Sequence, residues 1–286
     1  MSILKNIYSV EKRRDAKVIR FCGIKMKKRK KVRKEEVFKL LTKMQKKLSM
    51  VDNEWQFDNI KFFVPYYPLD FIQSYIVDRN CFFEEDILQE LDNYIPAEAV
   101  ILDCGANIGN HTVYWLKKSP KNIERVHCFE PIKNTFDILS KNVELNNLQN
   151  CAVLHNIGLN DKASSADIAN YDRENIGGAS LKEGNGEITL KKLDEVELKE
   201  NKIDFIKIDV EGMEYPLLNG AVNTLEKYKP LIFLESFPKN YSKVHDFMTK
   251  HNYELVKEFP DNNYLYQNKD RIIVNKNSLV KNTKEN

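Results

Sequence analysis

Four short apolar runs in this chain each end in a carboxylate. Val100-Ile101-Leu102 stops at Asp103 and Val126-His127-Cys128-Phe129 at Glu130. Phe205-Ile206-Lys207-Ile208 stops at Asp209, with Glu211 just beyond, and Leu231-Ile232-Phe233-Leu234 stops at Glu235. Runs of this kind suit the buried strands of a parallel sheet. An acid beside such a strand is costly to bury unless it is paired or put to use. Its repetition marks one sheet edge where a ligand sits. There, carboxylates accept hydrogen bonds from hydroxyls, hold an ammonium, or take a proton from a reacting group.

The turn after the first run narrows the choice of ligand. Asp103-Cys104-Gly105-Ala106-Asn107-Ile108-Gly109 passes into a helical pattern through Val113, Trp115 and Leu116. A dinucleotide site has a glycine where Asn107 stands, to admit a pyrophosphate. Without that glycine, and with an acid two residues before Gly105, the set Asp103, Gly105, Ala106, Asn107 and Gly109 favours S-adenosylmethionine over NAD. That cofactor has no pyrophosphate, and it carries an ammonium that an acid can bind directly or through water. Glu130 follows Asp103 by 27 residues, one strand–helix–strand step. A carboxylate there takes two hydrogen bonds from a ribose cis-diol. Asn156 lies at the end of a third strand, Cys151 to Gly158.

The remaining acids point to the acceptor. A hydroxyl is a weak nucleophile until its proton leaves, which calls for a nearby base. Asp209 and Glu211 are the first candidates and Glu235 the third; Asp209 alternatively orients Glu211 or holds the cofactor. His111 and His155 are further candidates, although His111 falls in the first turn of a helix and His155 within a strand. No His–Asp–Asp array accompanies the acids, so no metal is expected.

These residues require a β-α-β-α-β first half and a second half that brings its strands to the same edge. The second helix is marked by Phe136, Leu139, Val143 and Leu148. A single helix is expected from Glu214 to Lys227 and another from Tyr241 to Lys250. Two closing antiparallel strands are expected at Tyr253–Phe259 and Asn263–Tyr266. Between the halves, residues 177–186 hold four of the chain's ten glycines. That stretch reads as a functional loop or a plain hairpin. Upstream, Val37, Leu40, Leu41, Met44 and Leu48 predict an amphipathic helix over 35–50 that docks on the body. Glu84–Tyr94 is a second helix, and residues 55–77 are rich in aromatics. Tyr66 and Tyr67, between two prolines, are candidates for an acceptor pocket.

Charge divides the chain. The first 50 residues carry 18 Lys and Arg against 4 Asp and Glu, which leaves the remainder net acidic. Residues 1–34 read as a basic tail containing a β-like run from Asp15 to Met26, and 35–95 as a helical and aromatic extension. The catalytic domain then spans 96–270, with a polar tail over 271–286. Nucleic acid is not expected, because no aromatic residues interleave the basic run. Contact of residues 25–34 with an anionic membrane fits the charge. No apolar run is long enough to span a bilayer, and five dispersed cysteines suit a reduced, cytoplasmic protein.

The segments Asp103–Thr112, Phe129-Glu130-Pro131, Gly177–Leu181 and Ile203–Gly212 resemble the FkbM-type methyltransferases over roughly residues 80–260. The resemblance implies a Rossmann-like class I methyltransferase fold: a mostly parallel seven-stranded sheet with an antiparallel last strand. It implies S-adenosylmethionine as cofactor, held by Asp103, Gly105, Asn107, Gly109 and Glu130. It also implies transfer of a methyl group to a hydroxyl oxygen. The expected acceptor is a sugar hydroxyl in bacterial surface polysaccharide, capsule or lipooligosaccharide. The alternatives are a non-sugar hydroxyl, or a non-catalytic module that binds a membrane or partner.

Overall fold

The computed structural model describes residues 8–13, 16–21, 24–27, 34–172 and 175–271. Strands β1 (Tyr8–Arg13), β2 (Ala16–Phe21) and β3 (Ile24–Lys27) pair antiparallel in that order. Helix α1 (Lys34–Ser49) follows. It docks through only part of the expected stripe: Leu40 and Met44 are half-buried. Val37, Phe38, Leu41 and Leu48 are exposed, and the helix rests on the body through its lysines. Lys43 pairs with Asp78 at 2.9 Å. Lys46 Nζ donates to the Val77 carbonyl at 2.8 Å, and Lys47 Nζ donates to Asn53 Oδ1 at 2.7 Å. Lysine permits this because its aliphatic stem packs while its head finds polar partners.

The hairpin β4 (Glu54–Phe57) and β5 (Ile60–Phe63) leads to helices α2 (Phe71–Arg79) and α3 (Glu85–Leu91). The aromatics of this region are core: Phe57, Phe62 and Phe82 form a cluster, and Phe82 meets Tyr114 edge to face at 5.3 Å. Buried residues 57–95 share one hydrophobic cluster with Ile101, Trp115 and Phe205, so the extension is welded to the sheet.

Next come β6 (Val100–Cys104), α4 (Asn110–Lys117), β7 (Arg125–Phe129), α5 (Lys133–Leu145) and β8 (Ala152–His155). Asn142 and Asn146 of α5 bond the backbone of β5, with Phe63 N–H donating to Asn142 Oδ1 at 2.6 Å and Lys61 N–H to Asn146 Oδ1 at 3.0 Å. They satisfy backbone groups that an edge strand leaves open. The glycine-dense stretch folds as strands. β9 (Gly158–Leu159), β10 (Ser164–Asp172), β11 (Asn175–Gly184) and β12 (Ile188–Lys191) form a sheet in the order β11-β10-β12-β9.

β13 (Phe205–Ile208) then returns to the main sheet. The single helix expected over 214–227 is two, α6 (Glu214–Asn219) and α7 (Val222–Tyr228). The break has a local cause. Asp194 reaches in from the preceding segment and accepts hydrogen bonds from the N–H groups of Asn223 and Thr224, capping a fresh helix start. β14 (Leu231–Glu235), α8 (Pro238–Lys250), β15 (Tyr253–Phe259) and β16 (Asn263–Asn268) complete the chain. The main sheet runs β15-β16-β14-β13-β6-β7-β8, with β16 antiparallel to both neighbours and the other pairings parallel. This is the expected class I methyltransferase sheet. Strand order turns back between β6 and β13, which opens a crevice at their carboxyl ends.

Candidate active site

A cavity of about 460 Å³ lies in that crevice, within the size range of small-molecule sites. Gly105, Ala106 and Asn107 form one wall, and Glu130, Pro131 and Ile132 another. Asp209, Glu211 and Glu235 line the side facing β13 and β14, and Gly177 and Gly178 of β11 lie across from Asn107.

The turn between β6 and α4 is built for close approach. Gly105 has φ +80°, and a Cβ there would stand 1.8 Å from the Asp209 carbonyl oxygen, so no side chain fits. Gly109 has φ +85°, and its absent Cβ leaves room for Leu139 of α5. The Glu130 carboxylate closes the turn from beside it. Its Oε2 accepts from the Asn107 N–H at 3.0 Å, and its Oε1 accepts from the Ile132 N–H at 2.9 Å. Burial pushes Glu130 up to about 7, against the pull of these two donors.

Three residues expected at the site stand behind it or beside it. Asp103 lies under the turn, fully buried. Its Oδ2 accepts from Thr112 Oγ1 at 2.7 Å, and its Oδ1 is 3.4 Å from Lys207 Nζ. It therefore supports the turn, where an ammonium-binding role would need it in the cavity wall. Gly109 is the residue before α4 and likewise does not line the cavity. Asn156 Nδ2 donates to the Glu130 and Pro131 carbonyls, at 2.9 and 3.2 Å. It braces the chain after β7. Tyr66 and Tyr67 are also absent from the lining: Tyr67 is buried and donates to Asp78 Oδ1 at 3.1 Å. His155 stacks on Phe129 at 4.5 Å and sits 3.1 Å from His127 Nδ1, away from the cavity.

Other residues join the site without having been singled out. Lys207 is buried in the middle of β13, and its Nζ donates to the Gly105 carbonyl at 2.7 Å while lying 3.4 Å from both Asp103 and Asp209. Burial works against its charge, but Asp209 and Asp103 outweigh that and hold it above the usual lysine value. A lone cation inside the apolar run Phe-Ile-Lys-Ile is the signal that could have found it. The extension supplies Phe71, Ile72, Phe83 and Glu84. Asn110 and Phe83 exchange two hydrogen bonds, at 3.0 and 2.9 Å. His111, a candidate base from the sequence, does reach the wall, its Nε2 3.3 Å from Glu84 Oε2 and without a hydrogen-bond partner. No short-range pattern relates residues this far apart.

Asp70 ties the extension to the hairpin across the cavity. Its Oδ1 accepts from the Gln73 N–H at 2.9 Å as the cap of α2, and its Oδ2 accepts from the Ile176 N–H at 3.0 Å. Asp70→Ala is expected to lose both and destabilise the protein by about 1–2 kcal/mol. Urea unfolding measures that loss.

A family model, the methyltransferase FkbM domain, matches residues 103–255, more than half of the chain. The chain belongs to the FkbM methyltransferase family. Similar proteins include methyltransferase sdnD of Sordaria araneosa, 25% identical over 196 residues, which are 54% of this chain and 72% of that protein. The hexuronic acid methyltransferase AglP of Haloferax volcanii is 30% identical over 149 residues, 50% of this chain and 58% of that protein. A crystal structure of methyltransferase FkbM from Methylobacillus flagellatus has a TM-score of 0.43 and 21% identity, covering 60% of this chain and 43% of that one. This chain thus spans between about two fifths and three quarters of the length of these relatives.

As an FkbM methyltransferase the protein uses S-adenosylmethionine, and the residues present fit it. Gly105, Ala106, Asn107 and Glu130 line the cavity, and Asn107 Oδ1 lies buried on its wall with no hydrogen-bond partner. Gly105, Ala106, Asn107 and Glu130 are the residues that would hold it. An ionised Glu130 accepts ribose hydroxyls better than a protonated one. Cofactor affinity is therefore expected to rise with pH through about 7, where Glu130 loses its proton. The limiting slope is about tenfold per pH unit below that value. Calorimetric titrations on either side of it, with Glu130→Ala losing the slope, provide the check.

Proposed function

We propose that this protein is an O-methyltransferase that methylates a sugar hydroxyl during assembly of a surface polysaccharide. The observation that carries the proposal is the meeting of the cofactor cradle with Glu211 and Glu235 in one cavity. Burial, then the negative charges of Asp209 and Glu214, push Glu211 up to about 7. Burial and Asp209 also raise Glu235. A base with a pKa near the working pH is the most effective at taking a proton from a weak acid.

Bound S-adenosylmethionine supplies a sulfonium methyl that is electrophilic without further activation. The protein has three tasks: to align the acceptor oxygen, take its proton and exclude water. Glu211 is assigned the proton. Asp209 lies 3.4 Å from Lys207 Nζ and is engaged in that ion pair. Phe71, Phe83 and Phe129 provide apolar walls. The density of carboxylates suits a ligand with several hydroxyls to donate. A sugar acceptor is further supported by a relative named for hexuronic acid.

The test uses methyl-labelled S-adenosylmethionine with a panel of glycosides and non-sugar alcohols, read by mass spectrometry. A second arm compares surface glycans from cells with and without the gene. A glycan heavier by one methyl substitution in the gene-bearing cells is the expected result. Label entering only non-sugar alcohols would replace the sugar reading, and label entering no acceptor would end it.

A further inference from the structure

We infer that α1 and the basic segment leading into it form a docking surface for an anionic lipid bilayer. In α1, Val37, Leu41 and Leu48 lie on one face at helical spacing, with Phe38 at its edge. Phe38 is 71%, Leu41 53% and Leu48 82% exposed, and Val51 just past the helix is 76% exposed. Single exposed apolar residues are ordinary on a protein surface; an ordered stripe of them marks an interaction face. Lys43, Lys46 and Lys47, which would normally face water, instead face the body through the contacts to Asp78, Val77 and Asn53. The helix is therefore seated with Val37, Phe38, Leu41 and Leu48 outward, while Leu40 and Met44 are half-buried beside its lysines.

The sequence running into α1 selects the occupant. Lys27-Lys28-Arg29-Lys30-Lys31-Val32-Arg33-Lys34 places seven cations in eight residues with no acid among them. The chain beyond residue 50 is net acidic. An unbroken block of one sign does not match a partner patterned with both signs; it matches a continuous negative surface such as a leaflet of acidic lipids. Charge alone holds such a surface weakly, and a short apolar stripe alone inserts weakly. The two side by side are the combination that binds a membrane face reversibly.

The experiment is co-sedimentation of the full chain with vesicles of phosphatidylcholine, and of phosphatidylcholine mixed with phosphatidylglycerol, at low and high salt. Binding to the acidic vesicles is expected, about tenfold weaker on neutral vesicles and in high salt. A double Phe38→Ser, Leu41→Ser variant and a double Arg29→Glu, Lys30→Glu variant are each expected to lose about tenfold in vesicle binding. Cofactor affinity should stay unchanged in the stripe variant, because neither Phe38 nor Leu41 lines the cavity. Equal uptake by both vesicle types, uptake by neither, or a stripe variant that binds vesicles as well as the parent would overturn the inference. A stripe variant that converts a dimer to a monomer, with vesicle binding intact, would assign the face to a second copy instead.

Discussion

Glu211→Gln is expected to lower turnover by at least about a hundredfold while cofactor affinity stays within about threefold of the parent. The substitution keeps the shape and the hydrogen-bonding oxygen but removes the ability to take a proton. Glu211 lines the cavity, whereas the turn at Gly105 and the Glu130 carboxylate stand on other walls. That separation is why binding and turnover should part company. Glu211 also has φ +51°, a backbone conformation that non-glycine residues adopt at a cost and that gathers at functional sites. The parent's turnover should climb with pH through about 7, as Glu211 becomes ionised. It should then level off, and the variant should lack that limb. Glu211 and Glu235 influence each other, so the observed midpoint belongs to the pair. Single-turnover kinetics across pH, with cofactor affinity by calorimetry, separates the two effects. A variant that keeps the parent's rate removes Glu211 as base and passes the role to Glu235.

Why the sequence showed some of this and hid the rest follows from the range of each interaction. The four central strands of the main sheet, β6, β7, β13 and β14, were legible because they are largely buried and read as short apolar runs, each closed by an acid. Glu130 was legible as a residue of the cavity because one strand–helix–strand step fixes its distance from the glycine turn. Asp103 was read correctly as part of that turn, but its direction was not. Whether the carboxylate faces the cavity or lies beneath the turn depends on Thr112 and on Lys207, which is distant in sequence. The break at Gly220 depends in the same way on Asp194, outside any window that shows the helix period. The orientation of α1 was the hardest to foresee. Its periodicity is real, but which face meets the body is decided by Asp78, Asn53 and the Val77 carbonyl, none of which belongs to the helix. The part of the cavity formed by Phe71, Phe83 and Glu84 was hidden for a related reason: these residues come from an extension that composition separates from the domain, whereas packing fuses them.

Lys207→Met is expected to have the largest effect on stability, a loss of about 3–5 kcal/mol. Methionine matches the aliphatic stem and fits the apolar neighbours in β13, so the loss isolates the ammonium. Without it the Asp103 carboxylate stays fully buried with only Thr112 as a donor, and the Gly105 carbonyl loses its 2.7 Å partner. A buried charge left unpaired is one of the few single changes that reach this size. Against a typical total of about 5–15 kcal/mol, it consumes much of the margin, and a fall in melting temperature on the order of 10 °C follows. Arginine should not restore the parent, since its planar guanidinium does not present the compact ammonium that the Gly105 carbonyl, Asp103 and Asp209 surround. Pairing Lys207→Met with Asp103→Asn should recover part of the loss, because the second change removes the stranded charge. The pH dependence supplies an independent control. Lys207 is held above the ordinary lysine value, so its stabilisation is fully present below about pH 10 and fades only as pH rises through the folded value. Removing the ammonium also takes away the positive charge that lowers Glu130 and Glu211, so the gap between parent and variant should widen as pH rises through about 7. Glu130 behaves differently: raised from the ordinary carboxylate range to about 7, it favours the folded state most when protonated, and that contribution fades as pH rises from the ordinary glutamate range through 7. Thermal unfolding of parent, single variant and double variant across this range distinguishes the buried ion pair from a packing defect, which the double variant would leave unrelieved.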